Sequence, residues 1–192
     1  TKFELFSVNI DGSGARTKMN GVLPTGGNVG TSPNIEFMVS SDSSKVIYIA
    51  DETTNNVEEL YVSNIAGGGQ LKLNSALVTG GDIKKIKQAG SKVVFSVDKN
   101  IDNVIELYSV NLDGTGEVRI NSALIAGENV QQFEVSADNS KVVYSMDEGM
   151  SGFYNLFSNN LSGTNEIMVN ASLSGLATGV YDAAYPNAQQ FK

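Results

Sequence analysis

The sequence predicts an all-β fold in which a unit of four short antiparallel strands recurs along the 192 residues. Three observations support this prediction. Similar segments return every 47 to 55 residues. Short β-branched and aromatic runs alternate with Gly, Asn, Asp and Ser, which are the residues of tight turns. Apolar stripes with the period of a helix are hard to find, and the 20 Gly residues indicate many turns.

Three sequence markers define the repeat, and they keep the same order throughout. The first is a Leu followed by an aromatic residue, at Leu5, Leu60, Leu107 and Leu156. The second is a Lys that opens a β-branched run, at Lys45, Lys92 and Lys141. The third is a segment that begins with Asn, at Asn20, Asn74 and Asn121, with a degenerate copy at Asn170. A period of this length is typical of the blades of a β-propeller.

The four strands of a unit follow from local patterns. Residues 130–136 alternate as a first strand, and residues 141–146 form the β-branched run of a buried second strand. Residues 105–112 are the third strand of the preceding unit, and residues 117–121 are its fourth. An Asp-Gly pair between these last two favours a tight hairpin, because Gly accepts a positive φ without a Cβ clash.

Aromatic residues occupy two fixed positions of the repeat. One position holds Tyr48, Phe95 and Tyr144, and the other holds Phe6, Tyr61, Tyr108 and Phe157. Aromatic residues at equivalent positions of blades usually pack between the blades rather than stack on a ligand. We therefore predict that they belong to the core.

The segments "FEVSADNSKVVYSMDE" and "IELYSVNLDGTGEVRIN" together resemble the TolB-type propeller repeat. The matching residues are Ser136, Asp138, Lys141 and Tyr144 in its first half, and Leu107, Tyr108, Asp113, Gly114, Ile120 and Asn121 in its second half. The chain departs from the pattern where Ser41 or Ala137 replaces a Pro, and where the middle unit lacks the motif Asp. The resemblance covers almost the whole chain. It implies a fold rather than an activity, because these residues shape turns and cores.

We therefore predict a single β-propeller region over residues 1–192, with blades of four antiparallel strands. About three repeats are complete and two are part-blades. The repeats span 1–33 (partial), 34–81, 82–128, 129–186 and 187–192 (partial). The last part-blade is expected because the final "NAQQFK" copies "NVQQFE" in the preceding unit. We expect a piece of a longer propeller, and the alternative is a compact closed ring.

Charge and composition exclude several functional classes. The net charge of −8 disfavours a nucleic-acid partner, because phosphates would be repelled. The one basic cluster, Lys84, Lys85 and Lys87, is predicted to be a solvated strand face. The chain holds no His and no Cys, so a Ser-His-Asp triad, a Cys-His pair and a His-ligated zinc site are excluded within it. No apolar run approaches the roughly 20 residues of a membrane span.

Asp98, Asn100 and Asp102 are candidate metal ligands. Their D-x-N-x-D pattern places oxygen atoms at alternate positions of a loop, which suits a hard cation such as Ca²⁺. The pattern lacks the Gly and the final Glu of a complete calcium loop, and the other units keep only the first Asp, at Asp51 and Asp147. The alternative is a hairpin loop in which these side chains bond to local backbone. Apart from calcium, we expect no cofactor.

These observations favour a non-catalytic propeller module that binds a protein or an extracellular polymer. The prediction rests partly on analogy with other propellers. One alternative is the propeller part of a larger enzyme, such as a peptidase gate or a polysaccharide lyase. Another is a surface or filament subunit that self-associates through open blade edges. The TolB resemblance implies a periplasmic or extracellular location, because such propellers are commonly exported.

Overall fold

The computed structural model describes residues 2–30, 37–147 and 154–170, and its strands form four antiparallel sheets. A half-blade contains β1 (Phe6–Ser7) and β2 (Thr17–Lys18). Blade 1 contains β3 (Phe37–Val39), β4 (Lys45–Ala50), β5 (Glu59–Asn64) and β6 (Leu71–Lys72). Blade 2 contains β7 (Ile83–Ala89), β8 (Lys92–Val97), β9 (Glu106–Asn111) and β10 (Val118–Arg119). Blade 3 contains β11 (Val130–Val135), β12 (Lys141–Asp147), β13 (Tyr154–Asn160) and β14 (Ile167–Met168).

Each blade is a meander in which strands that follow one another in the chain are neighbours in the sheet. The pairing register also repeats. Tyr48 lies opposite Tyr61, Phe95 opposite Tyr108, and Tyr144 opposite Phe157. The rings of these pairs stack with centroids 5.7, 5.9 and 5.8 Å apart. All six side chains are buried, so the prediction that they are packing residues is confirmed in the three blades. The prediction is wrong for Phe6, which is 41% exposed because no preceding blade among the described residues covers it.

The hydrophobic core lies between successive sheets and is divided into three clusters. The first joins the half-blade to blade 1 around Tyr48. The second joins blade 1 to blade 2 around Leu60 and Phe95. The third joins blade 2 to blade 3 around Leu107 and Tyr144. Because each cluster takes side chains from two sheets, every blade depends on its neighbours for stability, as in other repeat proteins.

The turn between the first two strands explains why the middle unit lacks the motif Asp. In blades 1 and 3, Asp42 and Asp138 accept hydrogen bonds from the backbone N–H groups of Ser44 and Ser140, at 3.1 and 3.0 Å. In blade 2 only two residues, Gly90 and Ser91, separate the strands. A turn this short has no position for the capping Asp.

The prediction of an all-β fold built from propeller blades is confirmed. Blades 1 to 3 lie within the predicted repeats 34–81, 82–128 and 129–186. The division of the whole chain into repeats stays a prediction, and the part-blade predicted at 187–192 lies outside the described residues. In the described part of the chain, no helix is long and apolar enough to cross a membrane.

Candidate functional site

The three candidate calcium ligands lie in the loop between the second and third strands of blade 2. Asp98 is buried, and its two carboxylate oxygens accept hydrogen bonds from the backbone N–H groups of Asp82 and Asn103, at 2.7 and 3.3 Å. Asn100 donates its side-chain N–H to Glu106 and to the hydroxyl of Tyr108, each at 2.6 Å.

Asp102, the third candidate, is exposed to solvent. Within residues 2–30, 37–147 and 154–170, no group of three or more His, Cys, Asp or Glu side chains is arranged to hold a metal ion. The carboxylate of Asp98 is instead used by the backbone, as in the alternative interpretation of the pattern. Calcium binding at Asp98, Asn100 and Asp102 stays a prediction, which a calcium titration can test.

Asp98 belongs to a position that recurs in all three blades as Asp51, Asp98 and Asp147. All three carboxylates are buried. Asp98 and Asp147 each accept a hydrogen bond from the backbone N–H of the residue just before the first strand of their own blade. Asp51 accepts one from Asn28, which precedes Val29 and its bridge to Ala50. Asp51 also accepts from the backbone N–H of Asn56 at 2.9 Å. The recurring Asp therefore fixes the entry of the chain into each blade.

An Asx residue at that entry joins each blade to the one before it. Its side-chain oxygen accepts a hydrogen bond from a backbone N–H of the preceding blade. The pairs are Asn28 with Phe3, Asp82 with Glu58 and Asn129 with Ile105, at 2.9, 2.9 and 2.7 Å. The next residue then donates its own backbone N–H to the carbonyl of the same partner, for example Val130 to Ile105 at 2.9 Å.

Sequence reasoning missed this junction, although the signal is present. The segments "GGNV", "GGDI" and "GENV" each place an Asx before a β-branched residue. Only the structure shows that this Asx bonds to the preceding blade.

The Asn that opens the third sequence marker also has a structural task. Its side-chain oxygen accepts a hydrogen bond from the backbone N–H of the marker Leu, which lies in or next to the third strand of the same unit. The pairs are Asn20 with Leu5, Asn74 with Leu60, Asn121 with Leu107 and Asn170 with Leu156, at 2.8, 2.7, 2.6 and 2.5 Å. Two of the sequence markers are therefore the two partners of one hydrogen bond.

Ion pairs between the third and fourth strands recur in the half-blade and in blades 1 and 2. They are Glu4 with Lys18, Glu59 with Lys72 and Glu106 with Arg119, at 2.5, 2.7 and 2.9 Å. Burial opposes ionisation of Glu59, but hydrogen bonds from Lys72, Thr53 and Tyr61 outweigh it and lower the pKa of this carboxyl. In blade 3 the same positions hold Asn155 and Met168, so the pair is absent there.

The predicted basic cluster is divided among different partners. Lys84 pairs with Asp82 and Asp98, at 3.3 and 3.6 Å. Lys87 reaches Glu134 of blade 3 at 2.7 Å, and Lys85 is exposed. The prediction of a solvated face therefore holds for Lys85. Lys84 and Lys87 support the packing of the blades, because their partners lie at or across blade junctions.

A cleft of about 710 Å³ lies between blades 1 and 2. Its lining includes apolar Val62, Leu71 and Leu112 and charged Asp42, Lys45 and Asp113. One repeat position also differs at this junction. At the other two junctions, the hydroxyls of Ser7 and Ser109 donate to the carbonyls of Ile65 and Leu161 of the next blade, at 2.8 and 2.6 Å. Val62 occupies the equivalent position in blade 1 and has no hydroxyl to donate.

Most of the large apolar side chains that are exposed in the described residues lie at the two ends of the blade stack. At the half-blade end, the exposed side chains are Phe3, Phe6, Val8, Ile10, Phe37 and Val39. On blade 3 they are Tyr154, Leu156, Ile167, Met168 and Val169. Contiguous exposed apolar side chains mark surfaces that bind other molecules. These two ends are therefore the strongest candidate binding surfaces among the described residues.

Solved structures that are similar to this chain share its fold. A Mycobacterium tuberculosis puromycin-hydrolyzing peptidase matches 78% of this chain and 24% of its own length, with a TM-score of 0.53 and 11% identity. The tricorn protease matches 68% of this chain and 12% of its own length, with a TM-score of 0.51 and 14% identity. A putative TolB from Agrobacterium tumefaciens matches 88% of this chain and 74% of its own length, with a TM-score of 0.38 and 12% identity.

At these identities the likenesses concern the fold alone, and at that level they agree with the predicted propeller blades. The chain spans a quarter or less of the length of the two proteases. No protein-family model and no curated protein sequence matches the chain.

Proposed function

We propose that this chain is a non-catalytic propeller module that binds a protein and acts as a scaffold. The observation that carries the proposal is the pair of apolar ends. Side chains such as Leu156 and Phe37 are exposed at the ends, whereas their equivalents within the stack are buried. An exposed sheet face with the pattern of a core face fits another folded protein surface better than a hydrated polymer, because burial of apolar area drives such contacts.

The chemistry of the buried polar groups supports a non-catalytic role. Asp51, Asp98 and Asp147 bond to backbone N–H groups, and Glu59 and Glu106 bond to cationic side chains. These carboxylates are committed to the architecture of the blades. The chain also has no His and no Cys, which are the residue types that most often supply a general base or a nucleophile.

Photo-cross-linking in the cells that make the protein tests the proposal. A photoreactive amino acid is placed at Leu156 in one variant, at Phe6 in a second and at Ile125 in a control. Ile125 is also exposed but lies in the link between blades 2 and 3, away from both ends. We expect discrete protein adducts from Leu156 and Phe6 and none from Ile125.

The outcomes separate the functional hypotheses. Equal cross-linking from all three positions, or no protein adduct from either end, would contradict a protein-binding module. Retention on an extracellular polymer without protein adducts would favour the polymer hypothesis. Adducts that join an end to a hydrolase or lyase domain would favour the propeller part of an enzyme. A periplasmic or extracellular location stays a prediction, which cell fractionation can test.

A further inference from the structure

We infer that the protein bound at these ends is a second copy of this chain, which packs head to tail. The half-blade end of one copy would cover the open face of blade 3 of another. This inference rests on the proposed function and names its partner. It also gives the predicted self-association a specific geometry, in which sheet faces rather than strand edges meet.

The argument begins with the direction in which each repeat position faces. In blade 1, Leu60 packs toward blade 2, whereas Tyr61 packs back toward the half-blade. In blade 2, Leu107 packs toward blade 3, whereas Tyr108 packs back toward blade 1. Alternate residues of the third strand therefore face the next and the preceding blade, as the pleat of a strand requires.

In blade 3, no blade among the described residues covers the positions that face forward along the stack. Leu107 is 0% exposed, but its equivalent Leu156 is 39% exposed. Ile120 is 1% exposed, but its equivalent Val169 is 54% exposed. This face, which we call the tail face, is an apolar core surface that no blade covers within residues 2–30, 37–147 and 154–170. The equivalent positions of blades 1 and 2 pack against the blade that follows, so the surface complementary to the tail face is another blade.

The half-blade end shows the other half of the same interface. Phe6 and Val8 stand at positions that face a preceding blade, and both are exposed. We call this surface the head face. It presents the apolar positions that blades 1, 2 and 3 use against their predecessors.

One hydrogen bond of the existing junctions can also be completed between copies. The hydroxyls of Ser7 and Ser109 donate to the carbonyls of Ile65 and Leu161 in the next blade. Ser158 is the equivalent donor on the tail face, and Ile10 is the equivalent acceptor residue on the head face. The side chain of Ile10 is fully exposed, whereas Ile65 and Leu161 pack against the core clusters. The same pair would therefore form when a second copy docks.

The repeat positions favour the head-to-tail arrangement over two like ends. Leu107 and Ile120 face the next blade, whereas Tyr108 faces the preceding one. A tail face therefore has the positions that meet a head face at a blade junction, and two heads or two tails would bring together positions that do not meet at these junctions. A head-to-tail contact is heterologous, so it generates rings or open chains of copies.

Light scattering of end-blocked variants tests the inference. The head-blocked variant carries Val8→Asp and Ile10→Asp, and the tail-blocked variant carries Leu156→Asp and Val169→Asp. A matched control, Ile125→Asp, adds the same charge to an exposed apolar residue away from both ends. The native chain and the control should show a mass that rises above 20.3 kDa with concentration. Each blocked variant alone should associate at least about tenfold more weakly.

Mixing the two blocked variants gives the decisive result. Each retains one intact end, so an equal mixture should form a dimer with one copy of each and no larger species. Circular dichroism checks that both variants fold, and Val169→Asp alone replaces the tail-blocked pair if Leu156→Asp unfolds the chain.

Three results would overturn the inference. A native chain that stays monomeric at all concentrations contradicts self-association. Dimers of the tail-blocked variant alone would show contact between two heads. A mixture of blocked variants that does not form a dimer would exclude the head-to-tail contact. If the native chain is monomeric while Leu156 still cross-links a different protein, only this inference fails and the proposed function stands. If neither self-association nor a protein adduct is observed, both fail.

Discussion

Blades 2 and 3 have the same strand order and almost the same register, yet the same repeat positions are buried in one and exposed in the other. Leu107 and Leu156 lie in equivalent strands, and the backbone N–H of each donates a hydrogen bond to an Asn side chain. The difference arises because blade 2 lies between two blades, whereas the outer face of blade 3 meets no described blade. Burial in a repeat protein is therefore set by the neighbouring unit rather than by the residue type.

The polar positions of the two blades differ in a related way. In blade 2 the buried Glu106 pairs with the partly exposed Arg119, but blade 3 has Asn155 and Met168 at these positions. Met168 is exposed and apolar, so blade 3 has lost a cross-strand charge pair and gained apolar surface. Met168 lies opposite Phe157 in the register, so this added apolar surface is on the side of the sheet that faces blade 2.

The largest expected effect is the loss of the marker Leu in blade 2. Leu107→Ala should lower the free energy of unfolding by about 3 kcal/mol, because it leaves a cavity in a fully buried site. Leu156→Ala should cost less than about 1 kcal/mol at concentrations where the chain is monomeric, because the site is already exposed. Urea unfolding of both variants measures the difference. Equal losses would show that the two faces are covered alike.

The hydrogen bond between the two sequence markers should show the same contrast. Asn121→Ala leaves the buried backbone N–H of Leu107 without its acceptor and should cost about 2 kcal/mol. Asn170→Ala removes the equivalent bond at an exposed strand end, where water can replace the lost acceptor. Its cost should be about 1 kcal/mol or less. Chemical denaturation at fixed pH checks both values, and a larger loss for Asn170→Ala would contradict the comparison.

The turn between the first two strands offers a smaller test. Gly90 has a φ of +61°, and a Cβ added there would meet its nearest atom, in Asn139, at 3.9 Å. Gly90→Ala should therefore cost about 1 kcal/mol through backbone strain alone. Asn139 has a φ of +58° in the equivalent turn of blade 3, and Asn139→Gly should change stability by less than about 0.5 kcal/mol. Thermal unfolding compares the two variants, and a neutral Gly90→Ala would argue against a strained turn.

The smallest expected effect concerns acid stability. Hydrogen bonds from Ser136 and Ser140 lower the pKa of Asp138 in blade 3 to about 2, whereas blade 2 has no such Asp. The pKa of an unfolded Asp is about 3.9, so this turn contributes stability above that pH, and the contribution is lost as the pH falls through about 4 to 2. Asp138→Asn should flatten the dependence of stability on pH in this window. An NMR titration midpoint of Asp138 near 4 would falsify the assignment.

The strands and the repeat could be predicted from the sequence because each depends on local patterns. Turn residues, β-branched runs and the spacing of Leu5, Leu60 and Leu107 all report local structure. The blade junctions could not be predicted in this way, because Asp82 and Lys87 bond to residues of other blades. For Asp98, Asn100 and Asp102, likewise, sequence spacing alone does not say which hydrogen-bond partner each side chain takes. The sequence also does not predict that Leu156 is exposed, because the residues around it are similar to those around the buried Leu107.

The central claim is that the ends of the blade stack are open binding surfaces. Hydrogen exchange at two protein concentrations tests this claim most directly. In dilute solution, the amides of β9 should exchange much more slowly than those of β13, because β9 is covered on both faces and β13 on one. At high concentration, β13 and the half-blade strand β1 should gain protection together, while β9 stays unchanged. Equal protection of β9 and β13 in dilute solution, with no change on concentration, would contradict the account.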